Sequence, residues 1–355
     1  MVYKQMVVAS MSLELLRTLC ALPAPPGQEE TFRQFMIEHL SPYADEVRTD
    51  ALGNVFFFRK GKSSSPRTIM LAAHMDEISF LVRHISKEGF LYVQPLGGFD
   101  PRVLDAQRVW VHGRQRLLGV FGTKPTHFTS PEERTKAVPL EDMFIDVGLP
   151  AESVTELVGI GDAVTLEREL VEMGHCYTGK TLDDRIGIYV MIEAFKRFAE
   201  SQDTIVAAAT VQEEVGVRGA HAAAFGIEPD IGIAIDITIA ADIPGIEERN
   251  WCVRLGGGTA IKIMDARSIS DRRLVQFFRT LASESAITHQ MEILPRGGTD
   301  AAGMQLARNG IPVCTISIPC RYAHSVVESV HRDDVAASIE LVRIFCEQSH
   351  RFTTT

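Results

Sequence analysis

Four short, almost unbroken apolar runs punctuate the chain: TIMLAAHMDE from Thr68, TIVAAATVQEE from Thr204, IGIAIDIT from Ile231 and IPVCTISIP from Ile311. Runs of this length predict strands covered on both faces, as in a parallel sheet. Between and after them, apolar residues recur at helical spacing over 184–201, 271–286 and 333–349. Two shorter helices are predicted over 12–22 and 31–42, joined by the loop PAPPGQEE. Strands alternating with helices predict an α/β domain built on a mixed, largely parallel sheet flanked by helices. Residues 77–165 follow a different rule. There FLVRHISKEGFLYVQPLGG, QRVWVHGRQRLLGVFG and AVTLERELVEM alternate apolar and polar positions between glycine-containing turns, which predicts a small β-rich domain. With α/β patterns on both sides, it reads as an insertion into a discontinuous domain of residues 1–76 and 166–355.

At 355 residues, 45% hydrophobic and 23% charged, the chain has the composition of a folded, soluble, enzyme-sized protein. Its 36 basic and 46 acidic residues leave a net charge of −10, which disfavours nucleic acid and anionic lipid as partners. The six cysteines are scattered with no C-x-x-C pair, as expected for free thiols in a reducing cytoplasm. The opening MVYKQMVVASMSLELL is broken by polar residues before it could form a signal-peptide core, and no run reaches the roughly eighteen apolar residues of a spanning helix. A cytoplasmic location is the expectation.

The chemistry lies where the four apolar runs end. They lead into His74, the pair Glu213 and Glu214, Asp236, and a loop holding His324. In an open α/β sheet ligands bind outside the carboxyl ends of the strands, so these groups converge on one edge. GKTLDDRIG adds Asp183 and Asp184 at the start of a strongly apolar helix. Two imidazoles with several carboxylates suit zinc, cobalt or manganese better than calcium or magnesium. The set exceeds what one catalytic zinc needs; two metals roughly 3.5–4 Å apart, sharing a carboxylate, would use all of it. Taken singly, Asp183 and Asp184 could be helix caps and Glu213–Glu214 a solvated strand end. Asp236, set among apolar residues, must be paired or metal-bound. Asp76, two residues past His74, is placed to orient that imidazole. The other nine histidines read as ordinary surface or hydrogen-bonded residues.

Six segments, AHMDEISFLV (72–81), GKTLDDRIG (179–187), VQEEVGVRGA (211–220), AIDITIAADIPG (234–245), RGGTDAAG (296–303) and RYAHSVVE (321–328), make the chain resemble the M42 family of dinuclear metallo-aminopeptidases, which includes glutamyl aminopeptidases and the tetrahedral (TET) peptidases. The resemblance implies two divalent metals per subunit: His74 and His324 each hold one, Asp183 bridges them, and Glu214 and Asp236 complete the set. It further implies Glu213 as general base and Asp76 as the residue orienting His74. By the same likeness the β-rich insertion is a dimerisation domain, and dimers assemble into a hollow dodecamer admitting only peptides. HSVVE departs from the family at the residue after the serine, where proline is frequent.

The implied activity is removal of N-terminal residues from peptides, with Glu213 activating the attacking water. A metal-dependent deacylase or amidase, a glycosidase and a non-catalytic assembly are the competing readings. Arg296 and Arg321 are the candidates for reading an acidic first residue. RGGTDAAG reads as a glycine loop feeding a helix capped by Thr299 or Asp300, and Lys124 and His127 as loop residues. The glycine run of LGGGTAIKI has no following GK[ST] and is not a phosphate loop. The absence of G-x-S-x-G argues against a serine hydrolase.

Overall fold

The computed structural model describes residues 12–353; the N-terminal run weighed as a signal peptide lies, up to Met11, outside the described residues. Two helices, α1 (Leu13–Ala21) and α2 (Glu30–Leu40), come first, and the Ser12 hydroxyl caps α1 by accepting the Leu15 amide at 3.2 Å. The hairpin β1 (Glu46–Thr49) and β2 (Val55–Arg59) leads into β3 (Thr68–His74). The chain then builds a closed barrel from β4 (Ser79–Ile85), β5 (Leu91–Leu96), β6 (Arg108–His112), β7 (Arg116–Gly122), β8 (Phe144–Asp146) and β9 (Ala163–Leu166), with helix α3 (Ala151–Leu157) before the last strand. Closure follows the order β4-β5-β8-β7-β6-β9 and leaves no free strand edge. Phe80, Val109, Val111, Phe121, Ile145 and Val164 fill its interior.

After the barrel come the hairpin β10 (Val171–Met173) and β11 (Cys176–Gly179), α4 (Leu182–Arg197), β12 (Thr204–Thr210), α5 (Arg218–Ile227) and β13 (Ile231–Ile239). The chain continues through β14 (Thr259–Met264), α6 (Arg272–Glu284), β15 (His289–Ile293), α7 (Asp300–Gln305), β16 (Val313–Arg321), β17 (Glu328–His331) and α8 (Arg332–Gln348). The eleven-stranded sheet runs β1-β2-β12-β3-β13-β16-β17-β11-β10, with β14 and β15 branching from β16. Its centre, β12-β3-β13-β16, is parallel throughout and is made of the four apolar runs. Helices α1, α2, α4, α6 and α8 cover one face through the main core, where Phe57, Phe195, Phe278 and Phe345 are fully buried. The other face is thinner: α5 and α7 pack close through Ala223, Ala224, Ala301 and Met304 onto Met70, Ala72 and Ala208.

Several boundaries depart from the apolar pattern for identifiable reasons. The strand ending in Asp236 continues to Ile239, because β16 runs beside it as far as Cys320. The strand leading to Glu213 leaves the sheet at Thr210, and its next amides bond to side chains. Helix α4 stops at Arg197, where the Arg59 guanidinium takes the carbonyls of Phe195, Phe198 and Ala199 at 2.9 Å each and satisfies the helix end.

The glycine run before β14 has a structural use. The Gly256 and Gly258 amides each donate to the Asp334 carboxylate at 2.7 Å, and Gly258 has φ +91 with a Cβ position 2.1 Å from the Thr288 carbonyl oxygen. No side chain fits there, and the anion in the cradle is the protein's own carboxylate at the head of α8. Asp334→Ala, which strands both amides, is expected to lower stability by about 3 kcal/mol. A denaturation midpoint equal to that of the parent chain would show that the turn holds itself.

Candidate active site

The parallel centre of the sheet sets the chemistry by register. Thr210 of β12 lies opposite His74 of β3, and Asp236 of β13 lies opposite Ser317 of β16, so the four strand ends open on one edge. Helix α4 enters the same edge. Its first turn is non-helical at Asp183 and Asp184, the peptide between them is cis, and both carboxylates are buried. Asp184 is held by the His74 amide at 3.3 Å and the Gly187 amide at 3.0 Å. A Cβ on Gly187 would fall 2.2 Å from the Asp184 carboxylate, so only glycine lets that carboxylate fold back on its own helix.

All seven predicted site residues fall together. Asp183 stands between the two imidazoles: Oδ1 is 3.2 Å from His74 Nε2 and Oδ2 is 3.1 Å from His324 Nε2. Glu214 Oε2 lies 3.4 Å from His324 Nε2, and Glu213 Oε2 lies 4.0 Å from His74 Nε2. Possible ligand atoms of His74, Asp183 and Glu214 lie within 4.8 Å of one another, as do those of His74, Asp184 and Asp236. His74 Nδ1 donates to the Asp76 carbonyl oxygen at 3.1 Å, and His324 Nδ1 donates to the Gly98 carbonyl oxygen at 2.8 Å. Since a carbonyl only accepts, both rings carry their proton on Nδ1 and present Nε2 to the site. The Asp76 carboxylate, 3.6 Å from His74 Nδ1, also takes the Glu213 and Glu214 amides at 2.9 and 3.1 Å. One residue thus aims the first histidine and anchors the Glu-Glu pair.

Other contributors escaped the sequence reading. Glu328 Oε1 accepts the His324 amide at 2.8 Å and Oε2 accepts the Asp183 amide at 3.0 Å, tying two predicted ligands together from below. Its only sequence signal is an acid inside the apolar stretch VVESV. Asp300, buried at the start of α7, bonds the Thr210 hydroxyl, while Thr299 caps the helix through the Ala301 amide. Gly98, from the barrel side of the chain, carries no side-chain signal at all. Lys124 and His127 lie in an exposed loop, where Lys124 pairs with Glu133 at 3.5 Å. Arg321 is taken bidentately by Asp242 at 2.7 and 3.1 Å, whereas Arg296 lines the site cavity. That cavity, about 990 Å³, is lined by Asp183, Glu213, Glu214, Asp236 and His324 together with Ile237, Asn250, Cys252, Arg267, Leu294 and Arg296.

The electrostatics are those of anions forced together. Burial, then mutual repulsion, pushes Glu214 and Asp236 up to about 8 and Glu213 and Asp184 well above the ordinary carboxylate range. Burial also opposes charge on Asp183, yet the two imidazoles hold it below that range. Burial disfavours charge on His324, but Glu214 and Asp183 lift it to about 11; His74 is likewise lifted by Asp183 and Asp76. Glu214 Oε1 is buried without a hydrogen-bond partner. Two imidazole nitrogens, several carboxylates and one orphaned carboxylate oxygen are a donor set that fits divalent transition metals.

A linkage follows. With both imidazoles and several carboxylates raised toward or above neutrality, metal must displace protons that these groups hold at pH 7. Zinc added to metal-stripped protein at pH 7 in weak buffer is expected to release protons, and zinc affinity is expected to fall as pH drops. Indicator-dye titration measures it; proton-neutral uptake would exclude these groups as ligands.

The sequence profile of the M42 glutamyl aminopeptidases matches residues 53–341. The lysyl aminopeptidase of Pyrococcus furiosus is 36% identical over 94% of this chain and 96% of its own length. The solved TET aminopeptidase of a marine-sediment Thaumarchaeota archaeon is 36% identical and superposes with a TM-score of 0.93 over 97% of this chain and 99% of that one. The TET1 peptidase of Pyrococcus horikoshii, described as assembling into a tetrahedron or a large octahedral shell, is 31% identical with a TM-score of 0.85 over 95% and 99%. The mixed α/β fold, the six motifs and these relatives agree, and the chain belongs to the M42 glutamyl aminopeptidase family.

Proposed function

We propose that this metal-dependent aminopeptidase works through a two-metal centre in which Asp183 is shared, His74 and Asp236 complete one position and His324 and Glu214 the other. The observation that supports it is the Asp183 carboxylate, with one oxygen facing each imidazole. Divalent metals held there would polarise the scissile carbonyl, lower the pKa of the attacking water and balance the charge of the tetrahedral oxyanion. Glu213 is the proton carrier. It lines the cavity 4.0 Å from His74, its amide is fixed by Asp76, and burial raises its carboxyl well above the ordinary range. A carboxyl so placed takes a proton from water and returns it to the leaving amine near neutral pH.

The acid-rich centre attracts the ammonium of a free N-terminus, which favours exopeptidase over deacylase action. Arg267 and Arg296 line the same cavity, Arg267 meeting the Asp265 carboxylate only through its backbone amide, and their guanidinium groups favour peptides with negative charge near their start. The barrel, which exposes Leu118 and Val120 on β7, is the surface through which subunits would dimerise, and the dimers would build a shell; the TET1 peptidase is described as assembling into a tetrahedron or a large octahedral shell. Among the described residues no helix is long and apolar enough to cross a membrane.

Purified protein is expected to release p-nitroaniline from aminoacyl anilides, to lose that activity on chelation and to regain it with zinc, cobalt or manganese. Glu213→Gln should keep fold and metal while kcat falls by about two to four orders of magnitude; His74→Ala should lose metal. Normal turnover by Glu213→Gln would remove that residue from the role of base, and chelator-resistant cleavage would overturn the metal mechanism. On a calibrated sizing column with light scattering, the protein should run as an assembly of many subunits; a monomer would refute the shell.

A further inference from the structure

The segment joining β12 to α5 carries both Glu213 and Glu214, and its backbone is held in an unusual way. Four consecutive amides each donate to a side chain: Val211 to Asn54 Oδ1 at 3.0 Å, Gln212 to Glu29 Oε1 at 3.2 Å, and Glu213 and Glu214 to the Asp76 carboxylate at 2.9 and 3.1 Å. The acceptors come from three separate parts of the chain: the start of α2, the turn between β1 and β2, and the segment after β3. Asn54 is itself fixed, its amide group donating to Asp50 Oδ2 at 2.6 Å and the Gly219 carbonyl at 3.1 Å.

Gln212 is the sensitive member. Its φ of +56 lies in the left-handed region, which is unfavourable for a non-glycine residue because Cβ crowds the following carbonyl. This single residue turns the chain out of the strand so that the next two amides meet one carboxylate and the next two side chains enter the metal site. Its amide is taken by Glu29, which is 2% exposed and braced by the Gly27 amide on the same oxygen at 2.8 Å. Neither Glu29 nor Asn54 faces the cavity, so neither touches substrate.

We infer that Glu29 is a positioning residue of the metal site: by accepting the Gln212 amide it keeps that residue left-handed and so fixes where Glu213 and Glu214 point. Its kinetic arm rests on the aminopeptidase reading; its metal arm does not. Because Glu214 is a candidate ligand and Glu213 the candidate base, loss of this one hydrogen bond loosens both together, whereas loss of a bond far from the loop would loosen neither.

The test uses the full-length protein with Glu29→Ala, Glu29→Gln and Glu29→Asp. Cobalt affinity is read by visible absorption in competition with a chelator, and kcat and KM by aminoacyl anilide hydrolysis. Glu29→Ala is expected to bind cobalt ten- to a hundredfold more weakly, and to lose a similar factor in kcat while KM moves by less than about threefold. Glu29→Gln, which keeps an acceptor oxygen, should stay within about threefold of the parent on both. Should Glu29→Ala fail to fold, Glu29→Asp, whose shorter side chain withdraws the oxygen, is expected to show the same losses. A folded Glu29→Ala or Glu29→Asp that matches the parent in cobalt affinity and kcat overturns the inference, as does a Glu29→Gln as impaired as the alanine variant. A parent protein that cleaves no peptide, yet loses cobalt affinity on Glu29→Ala, refutes the aminopeptidase reading and leaves the positioning role standing.

Discussion

Like charges buried beside one another are the constraint around which this molecule is organised. Asp76, Asp183, Asp184, Glu213, Glu214, Asp236, Asp300 and Glu328 crowd around two imidazoles, and water cannot solvate most of them. A carboxylate taken out of water without compensation is costly, so each must be protonated, hydrogen-bonded or paired with a cation. The fold uses the second device wherever an acid lies behind the site. Asp76, Asp184 and Glu328 all receive backbone amides, two each for Asp76, Asp184 and Glu328. Of the acids facing the cavity, Glu213 and Glu214 receive no backbone amide among the described residues and Asp236 receives only that of its neighbour Ile237, while burial raises the carboxyls on both sides of this divide, Asp184 and Glu328 included. The division separates acids that organise the chain from acids left to bind a cation.

The same division explains how much could be read from the sequence. The four central strands were legible because they are covered on both faces and therefore show no polar alternation. Their ends were legible as a site because parallel topology sends every carboxyl terminus to one edge. Glu29, Glu328 and Gly98 were not, because their contributions are single long-range hydrogen bonds that leave no periodicity, and Gly98 acts only through its carbonyl. The order of the outer strands and the closure of the barrel depend on pairings between distant segments, which local patterning does not encode.

Resemblance and residue chemistry carried different parts of the reading. Chemistry alone located the cluster and argued for a metal, but left Asp183 and Asp184 open as helix caps. In the structure only Asp184 plays that part: its backbone angles are non-helical and its Oδ1 accepts the Gly187 amide three residues on, while its Oδ2 takes the His74 amide; Asp183, also non-helical, instead faces the two imidazoles. The glycine run of LGGGTAIKI wraps the Asp334 carboxylate through the Gly256 and Gly258 amides.

The hydrogen bond from His324 to the Gly98 carbonyl spans 226 positions of sequence and joins a histidine of the α/β body to a loop that belongs with the barrel. The barrel is therefore not a detachable module. Its loop fixes the tautomer of one candidate ligand, so the two parts of the chain cannot drift or be recombined independently without retuning the centre. Any lineage that exchanged this barrel for another would have to rebuild a carbonyl at that spot, and a hinge between the two bodies would register first as a change at His324.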